Sequence, residues 1–169
     1  RDAIVTDRQD TPLLSANASR LSTFKTIEQA ISDAIISEDE IADRASNELF
    51  QIRRKMRACN ERVRERLNGM IHNPNFQKYL QDAIITMRAD RYVLPVRQEY
   101  RSMVPGIVHD QSSTGATVFI EPMSVVEIGN ELKQLISAEK AEIEKILRTL
   151  SAQIAPEADA IADNLAILA

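Results

Sequence analysis

Two long apolar stripes with the period of an α-helix bracket some forty residues that lack that period, and this layout limits the possible folds more than any other feature. Ile41, Ala45, Leu49, Ile52, Met56, Cys59, Val63, Leu67 and Met70 step by threes and fours, uninterrupted by Gly or Pro until Gly69 and Pro74. Val125, Ile128, Leu132, Leu135, Ile136, Ile143, Ile146, Leu147, Leu150 and Ile154 form the second stripe, which ends near Pro156. Ser37-Glu38-Asp39-Glu40 has the form of a capping box and predicts the start of the first helix. At ~1.5 Å per residue, the thirty or so residues that follow would span about 45 Å, which suggests an arm.

Between the stripes the pattern changes class. Pro74 predicts a short helix over 74–81. Ala83–Met87 and Tyr92–Val96 are apolar or β-branched runs around Arg88-Ala89-Asp90-Arg91, a tight-turn candidate. Gly106–Asp110 and Ala116–Ile120 flank Gln111-Ser112-Ser113-Thr114-Gly115, which reads as a hairpin loop. Pro95 would put its strand at an edge or a bulge. Upstream, Leu14, Leu21, Phe24, Ile27, Ile31 and Ile35 give one amphipathic helix or two short ones. Downstream, 157–169 reads as a helix with Ile161, Leu165 and Leu168 inward. The expected fold is mainly α with a small antiparallel β-sheet: a long antiparallel helical arm carrying a four-stranded β module. Its divisions fall at 1–82 (helical core and first long helix), 83–122 (β module) and 123–169 (returning helix and core helix). Each stripe can then bury its seam on the other helix.

Composition narrows the class. With 169 residues, 44% hydrophobic, and a net charge of −4, the chain is too apolar and too weakly charged to be disordered. Its one cysteine, Cys59, excludes an internal disulfide, so a reducing cytosol is the default compartment. No apolar run approaches the ~18–20 residues of a membrane span, and no signal peptide is evident. Arg1 is not Met and residues 1–8 read as the tail of something already begun, so a segment of a longer protein is expected.

The net charge conceals a division. Residues 52–101 hold 12 Lys/Arg against five Asp/Glu, a surplus of seven positive charges; the rest hold nine basic and 20 acidic side chains. Such asymmetry points to a polyanion-facing surface or to a basic helix paired with an acidic one inside the molecule. Arg53, Arg54, Arg57 and Arg64 partly share a helix face, while Glu139, Glu142 and Glu144 among Lys140 and Lys145 read as a solvated or pair-forming face. Arg88 and Arg91 sit on a turn that should protrude, where internal pairing explains them less easily. Only 4% of residues are aromatic, which favours phosphate contact over base stacking.

Several chemistries are excluded. The glycines stand at 69, 106, 115 and 129, none followed by Lys, so there is no phosphate-cradling G-x-x-x-x-G-K-[ST] loop. One Cys and two His (His72, His109) cannot make a structural zinc site. His109-Asp110 followed by Ser112 and Ser113 invites a triad reading, but strand neighbours point to opposite faces. Turn-building through Asp110, Ser112 and Ser113 is the expected role. No catalytic residue, metal ligand or cofactor is assigned to the chain.

Arg91-Tyr92-Val93-Leu94-Pro95-Val96, Glu99-Tyr100-Arg101, and above all the run from Gly106 to Pro122, G-I-V-H-D-Q-S-S-T-G-A-T-V-F-I-E-P, resemble the second bacterial MutS paralogue family, MutS-II. Weaker similarity covers most of the chain, including Asn130-Glu131-Leu132. The resemblance implies a core/lever region plus clamp, in which paired helical levers end in a β-rich clamp that closes on duplex DNA through backbone contacts. It further implies a bacterial cytoplasmic protein, dimeric at full length. That protein acts in recombination suppression or DNA repair, or on stalled ribosomes. ATP with Mg²⁺ and any nuclease activity would belong to domains outside residues 1–169. The expected partners are duplex DNA or structured RNA, with no membrane. The residues expected to bind nucleic acid are Arg88, Arg91, Arg97, Arg101, Gln111, Ser112, Ser113 and Thr114, with the Arg53–Arg66 face behind them. The rival reading is a structural helical dimerisation module that touches no nucleic acid.

Overall fold

The structure, a computed structural model, describes residues 12–168. Residues 1–8, read above as the tail of a preceding segment, the Leu14 side chain, and Ala169 lie outside the described residues. In chain order the elements are α1 (Pro12–Arg20), α2 (Lys25–Ala34), β1 (Ile35–Ser37), β2 (Glu40–Ile41), a 3₁₀ turn (Asp43–Ala45) and α3 (Asn47–Ile71). Then come α4 (Pro74–Gln77), β3 (Thr86–Arg88), β4 (Arg91–Arg97), a 3₁₀ helix (Gln98–Met103), β5 (Gly106–Gln111) and β6 (Thr117–Pro122). The chain continues with α5 (Met123–Ile154), a 3₁₀ turn (Ala155–Glu157) and α6 (Ala158–Leu168). The mainly α fold with a four-stranded antiparallel sheet is as expected, and β1–β2 add a two-stranded hairpin. Two compact units result: described residues up to Leu49 with those from Glu142 onward, and Phe50–Ala141.

In the Phe50–Ala141 unit, two helix stripes and one sheet face supply the core. Cys59, Val63, Leu67 and Ile71 of α3 meet Val125, Ile128 and Leu132 of α5, and both pack on Leu94, Val96, Val118 and Ile120. The sheet contributes alternate residues, as period 2 requires. Arg53 donates to Glu139 (2.6 Å), Arg62 to Glu131 (3.3 Å), and Arg66 to the Ser124 carbonyl (2.7 Å). Partner numbers fall as those of α3 rise, so within this unit the two helices run antiparallel.

The strand order is β3-β4-β6-β5, every pair antiparallel. This places β4, with Pro95, inside the sheet, where the sequence had suggested an edge. The local geometry resolves the conflict. Pairing with β3 stops at Thr86↔Val93, so beyond it the strand is flanked only by the Leu80↔Val96 bridge. There the Pro95 carbonyl accepts from the Gln81 amide (2.9 Å), on the side where the missing Pro95 N–H would point. The short helix opened by Pro74 covers only Pro74–Gln77, with the Asn73 side chain accepting from the Asn75 amide.

The unit containing α1, α2 and α6 has its own core: Ala34, Ile41, Leu49, Ile146 and Leu150. The upstream apolar stripe forms two helices, and Asn164 bonds both the amide and the carbonyl of Ser22 (2.9 Å each) in the link between them. The predicted capping box is not a helix start. Ser37 pairs with Glu40 in a hairpin that turns through Glu38-Asp39 and delivers Ile41 to the core. Ser46 is the cap instead, its hydroxyl accepting from the Leu49 amide (3.0 Å) and donating to Glu142 (2.8 Å). The first long helix therefore has 25 residues, about 37 Å. Leu165 and Leu168, expected inward, are exposed. Ile161 is half-buried and lines a groove with Phe24, Ile27 and Ile31.

Candidate nucleic-acid interface

Strand alternation sets the faces of the sheet. Leu94 and Val96 pack on the helix stripes, so Arg91, Val93, Pro95 and Arg97 share the opposite, outer face, which is buried at Val93 and Pro95 and reaches α5 at Arg91. Register adds Thr86 and Arg88 from β3, Thr117, Phe119 and Glu121 from β6, and Asp110 from β5. Three of the four arginines expected to bind nucleic acid thus lie on one face, in three different environments.

Arg91 is sealed in. Its Nη1 donates to Glu121 (3.1 Å) and its Nη2 to Asn130 (2.7 Å). Glu121 is only 2% exposed, and its other oxygen bonds His109 Nε2 (2.7 Å). A β-bulge between Val108 and Asp110 turns His109 to this carboxylate. Gly129 makes room: a Cβ there would stand 2.6 Å from Glu121 Oε1 and 2.7 Å from Arg91 Nη1. No buried side-chain polar atom among the described residues lacks a partner.

Arg88 is half tied. Its Nε donates to Asp110 (3.1 Å), Nη1 donates to Thr86 Oγ1 (3.2 Å) and the Met87 carbonyl (2.7 Å), and the guanidinium covers the Phe119 ring at 4.1 Å. The turn beside it is of type I′ form, with Ala89 and Asp90 at φ +48° and +60°.

Arg97 is exposed and Arg101 half-buried, and neither side chain has an ion-pair partner among the described residues. Arg97 stands across from Thr117, and the Gln98 amide donates to the Ala116 carbonyl (2.9 Å), so Arg97 abuts the Gln111–Ala116 loop. The loop's polar groups hold its own shape. Gln111 Nε2 donates to the Gly115 carbonyl (3.2 Å), Ser112 Oγ accepts from the Thr117 amide (3.1 Å), and Asp110 Oδ1 accepts from the Gln111 amide (2.8 Å). Gly115 is at φ +75°, where a side chain would be strained. Ser113 and Thr114 are exposed at the tip. Turn-building through Asp110 and Ser112 is therefore what the structure shows. His109 bonds Glu121 rather than a serine, so no hydroxyl–imidazole pair forms.

The sequence did not reveal that Glu121, Asn130 and Gly129 gather around Arg91. Their grouping rests on the bulge and on how α5 packs, neither of which leaves a local signal. On the helices, Arg53–Glu139, Arg62–Glu131, Glu142–Lys145 and Glu144–Arg148 bear out the pair-forming reading of the acidic face. No group of His, Cys, Asp or Glu among the described residues could hold a metal ion. No described helix is long and apolar enough to cross a membrane.

Within the Phe50–Ala141 unit the described residues form a helix pair bearing a small antiparallel sheet, and the sequence has no phosphate-cradling loop. No family model matches the chain. Curated relatives named Endonuclease MutS2 do. That of Alkaliphilus oremlandii is 50% identical over 157 residues, 93% of this chain and 20% of the relative. That of Clostridioides difficile is 51% identical over 157 residues, with the same shares. That of Acetivibrio thermocellus is 47% identical over 167 residues, 99% of this chain and 21% of the relative. Over nearly its whole length the chain is similar to a segment of these MutS2 proteins, and it spans about a fifth of the length of the curated relatives it matches.

Proposed function

We propose that this segment is a noncatalytic grip on duplex nucleic acid, made by the outer face of the β module through phosphate contacts. The observation that carries it is Arg97, an exposed guanidinium without an ion partner among the described residues, set against a loop whose tip presents Ser113 and Thr114. Phosphate contact needs only positive charge and donors at the surface. Arg101 and the Gln111–Thr114 loop extend the contact. Arg91 serves it indirectly, by fixing the β4 end of the sheet to α5 through Asn130.

In the longer protein, the paired helices carry ATP-driven motion of a motor domain to the sheet, as a dimer in the bacterial cytoplasm. Its work is recombination suppression or DNA repair, with structured ribosomal RNA as the other candidate partner. The residues present do not fit ATP with Mg²⁺, lacking both a phosphate loop and, among the described residues, an acidic cluster, so no step here runs through them. A salt titration of duplex binding by fluorescence polarisation tests the grip. Affinity should fall steeply with salt, and Arg97→Ala and Arg101→Ala should each flatten the log–log slope by about 0.9. Absence of duplex binding at about 50 mM salt defeats the reading.

A second reading, dimerisation through the helices without nucleic-acid contact, is favoured by Phe50 and Ile136, large apolar side chains exposed on α3 and α5. Sedimentation separates the two, since a salt-insensitive dimer with no nucleic-acid affinity would support the second.

A further inference from the structure

Arg88 and the Gln111 backbone amide bind one and the same anion, the carboxylate of Asp110. Oδ2 lies 3.1 Å from Arg88 Nε, and Oδ1 accepts from the Gln111 N–H at 2.8 Å. From this we infer a phosphodiester-binding subsite on the outer face of the sheet, in which Asp110 occupies the anion's place until a phosphate displaces it. The inference rests on the proposed nucleic-acid grip and deepens it.

Three observations carry it. First, the guanidinium is held for an incoming anion rather than by Asp110 alone. Nη1 is fixed by Thr86 and by the Met87 carbonyl, and the plane rests on Phe119 at 4.1 Å, so the group keeps its orientation when the carboxylate leaves. Second, Asp110 uses the Nε/Nη2 edge incompletely. Nη2 has no partner among the described residues, whereas a phosphate with two free oxygens can take both donors of that edge. Third, the pair is open to solvent, with side-chain exposures of 37% for Arg88 and 49% for Asp110, so exchange needs no unfolding. An exposed pair of this kind contributes little, and a polyanion that releases counterions outcompetes it. Arg91–Glu121, buried on the same face, offers no such exchange.

Asp110→Asn tests the subsite while keeping an oxygen for the Gln111 amide. Duplex affinity of the full chain should rise severalfold at about 100 mM salt, because a phosphate no longer has to displace the Asp110 carboxylate from Arg88. Arg88→Gln combined with Asp110→Asn should return affinity to that of Arg88→Gln alone. If the unsubstituted chain binds duplex and Asp110→Asn binds no more tightly, the subsite is overturned and the grip stands. A second readout needs no DNA. In the Asp110→Asn chain, the Arg88 Nε–H resonance should shift on titration with inorganic phosphate, and far less in the unsubstituted chain. A phosphate-dependent shift without duplex binding keeps the subsite and defeats the grip; neither shift nor binding defeats both.

Discussion

Gly129 and Gly69 both lie on helices in the Phe50–Ala141 unit, and the same substitution should act on them in opposite directions. Nothing lies within 4 Å of a Cβ added at Gly69. Gly69→Ala should therefore return the ordinary helix gain of up to ~1 kcal/mol. At Gly129 the new methyl meets Glu121 Oε1 at 2.6 Å and Arg91 Nη1 at 2.7 Å. Both atoms end side chains, so one of them could move aside. Glu121, however, is 2% exposed, and moving Arg91 away strands its carboxylate with only His109. Breaking a buried pair by displacing one partner costs about 3–5 kcal/mol, which outweighs the helix gain and leaves Gly129→Ala destabilised by about 2–4 kcal/mol. For a chain of this size the melting midpoint should fall on the order of 5–15 °C. Thermal and urea unfolding followed by helix circular dichroism reads both variants. A Gly129→Ala chain as stable as Gly69→Ala would falsify the claim that the Arg91–Glu121 pair is rigid and structural.

Three further outcomes follow from particular contacts. Ala89 at φ +48° carries a strain of ~1–2 kcal/mol, against a Gly entropy cost of about 0.5–1 kcal/mol. Ala89→Gly should thus raise the urea midpoint by about 0.5–1 kcal/mol worth of stability, and Ala89→Val should lower it. The Lys145 ammonium, then the Ser46 hydroxyl, hold the Glu142 carboxyl below its usual range. A depressed folded-state pKa gives stability that is present above the unfolded carboxylate range and lost as pH falls through the folded value, so Glu142→Gln should lower stability near neutrality, change it little at low pH, and thereby flatten its dependence on pH across the acid range. Burial, reinforced by Glu131, pushes the Cys59 thiol up. Maleimide labelling at mildly alkaline pH should therefore be slow in the folded chain and fast in urea, and equal rates would contradict the burial of Cys59.

Periodicity foretold the long helices and the strands because each rests on local alternation and local turn residues. Where the expectations missed, a nonlocal partner decided. Ser37 and Ser46 both precede acidic residues, but Ile35-Ile36 favour extended backbone and Ile41 has a core to enter, so Ser37 turns a hairpin and Ser46 caps the helix. Pro95 lies on an interior strand because pairing with β3 stops short of it, a length that no residue near Pro95 encodes. The Gly106–Pro122 run announced the family, yet within it the closest contacts are nonlocal. His109 reaches Glu121 only because of the bulge, and Glu121 reaches Arg91 only across β4 and β6.

The cation surplus of residues 52–101 cannot be reduced to the cations that lack a partner. Arg53, Arg62, Arg88 and Arg91 each face an acid, and all four acids (Glu139, Glu131, Asp110, Glu121) come from beyond residue 101. Internal pairing therefore ties at least these four of the 12 basic residues. Yet a partner neutralises a cation for good only where water is excluded. Arg62–Glu131 and Arg88–Asp110 are half-exposed and weak enough to be traded for a phosphate, whereas Arg91–Glu121 is buried, and the charge left behind would cost more than the trade returns. Burial of the pair decides which arginines can serve a polyanion. On that criterion the grip we propose draws on Arg97 at once and on Arg88 by exchange, while Arg91 stays paired with Glu121.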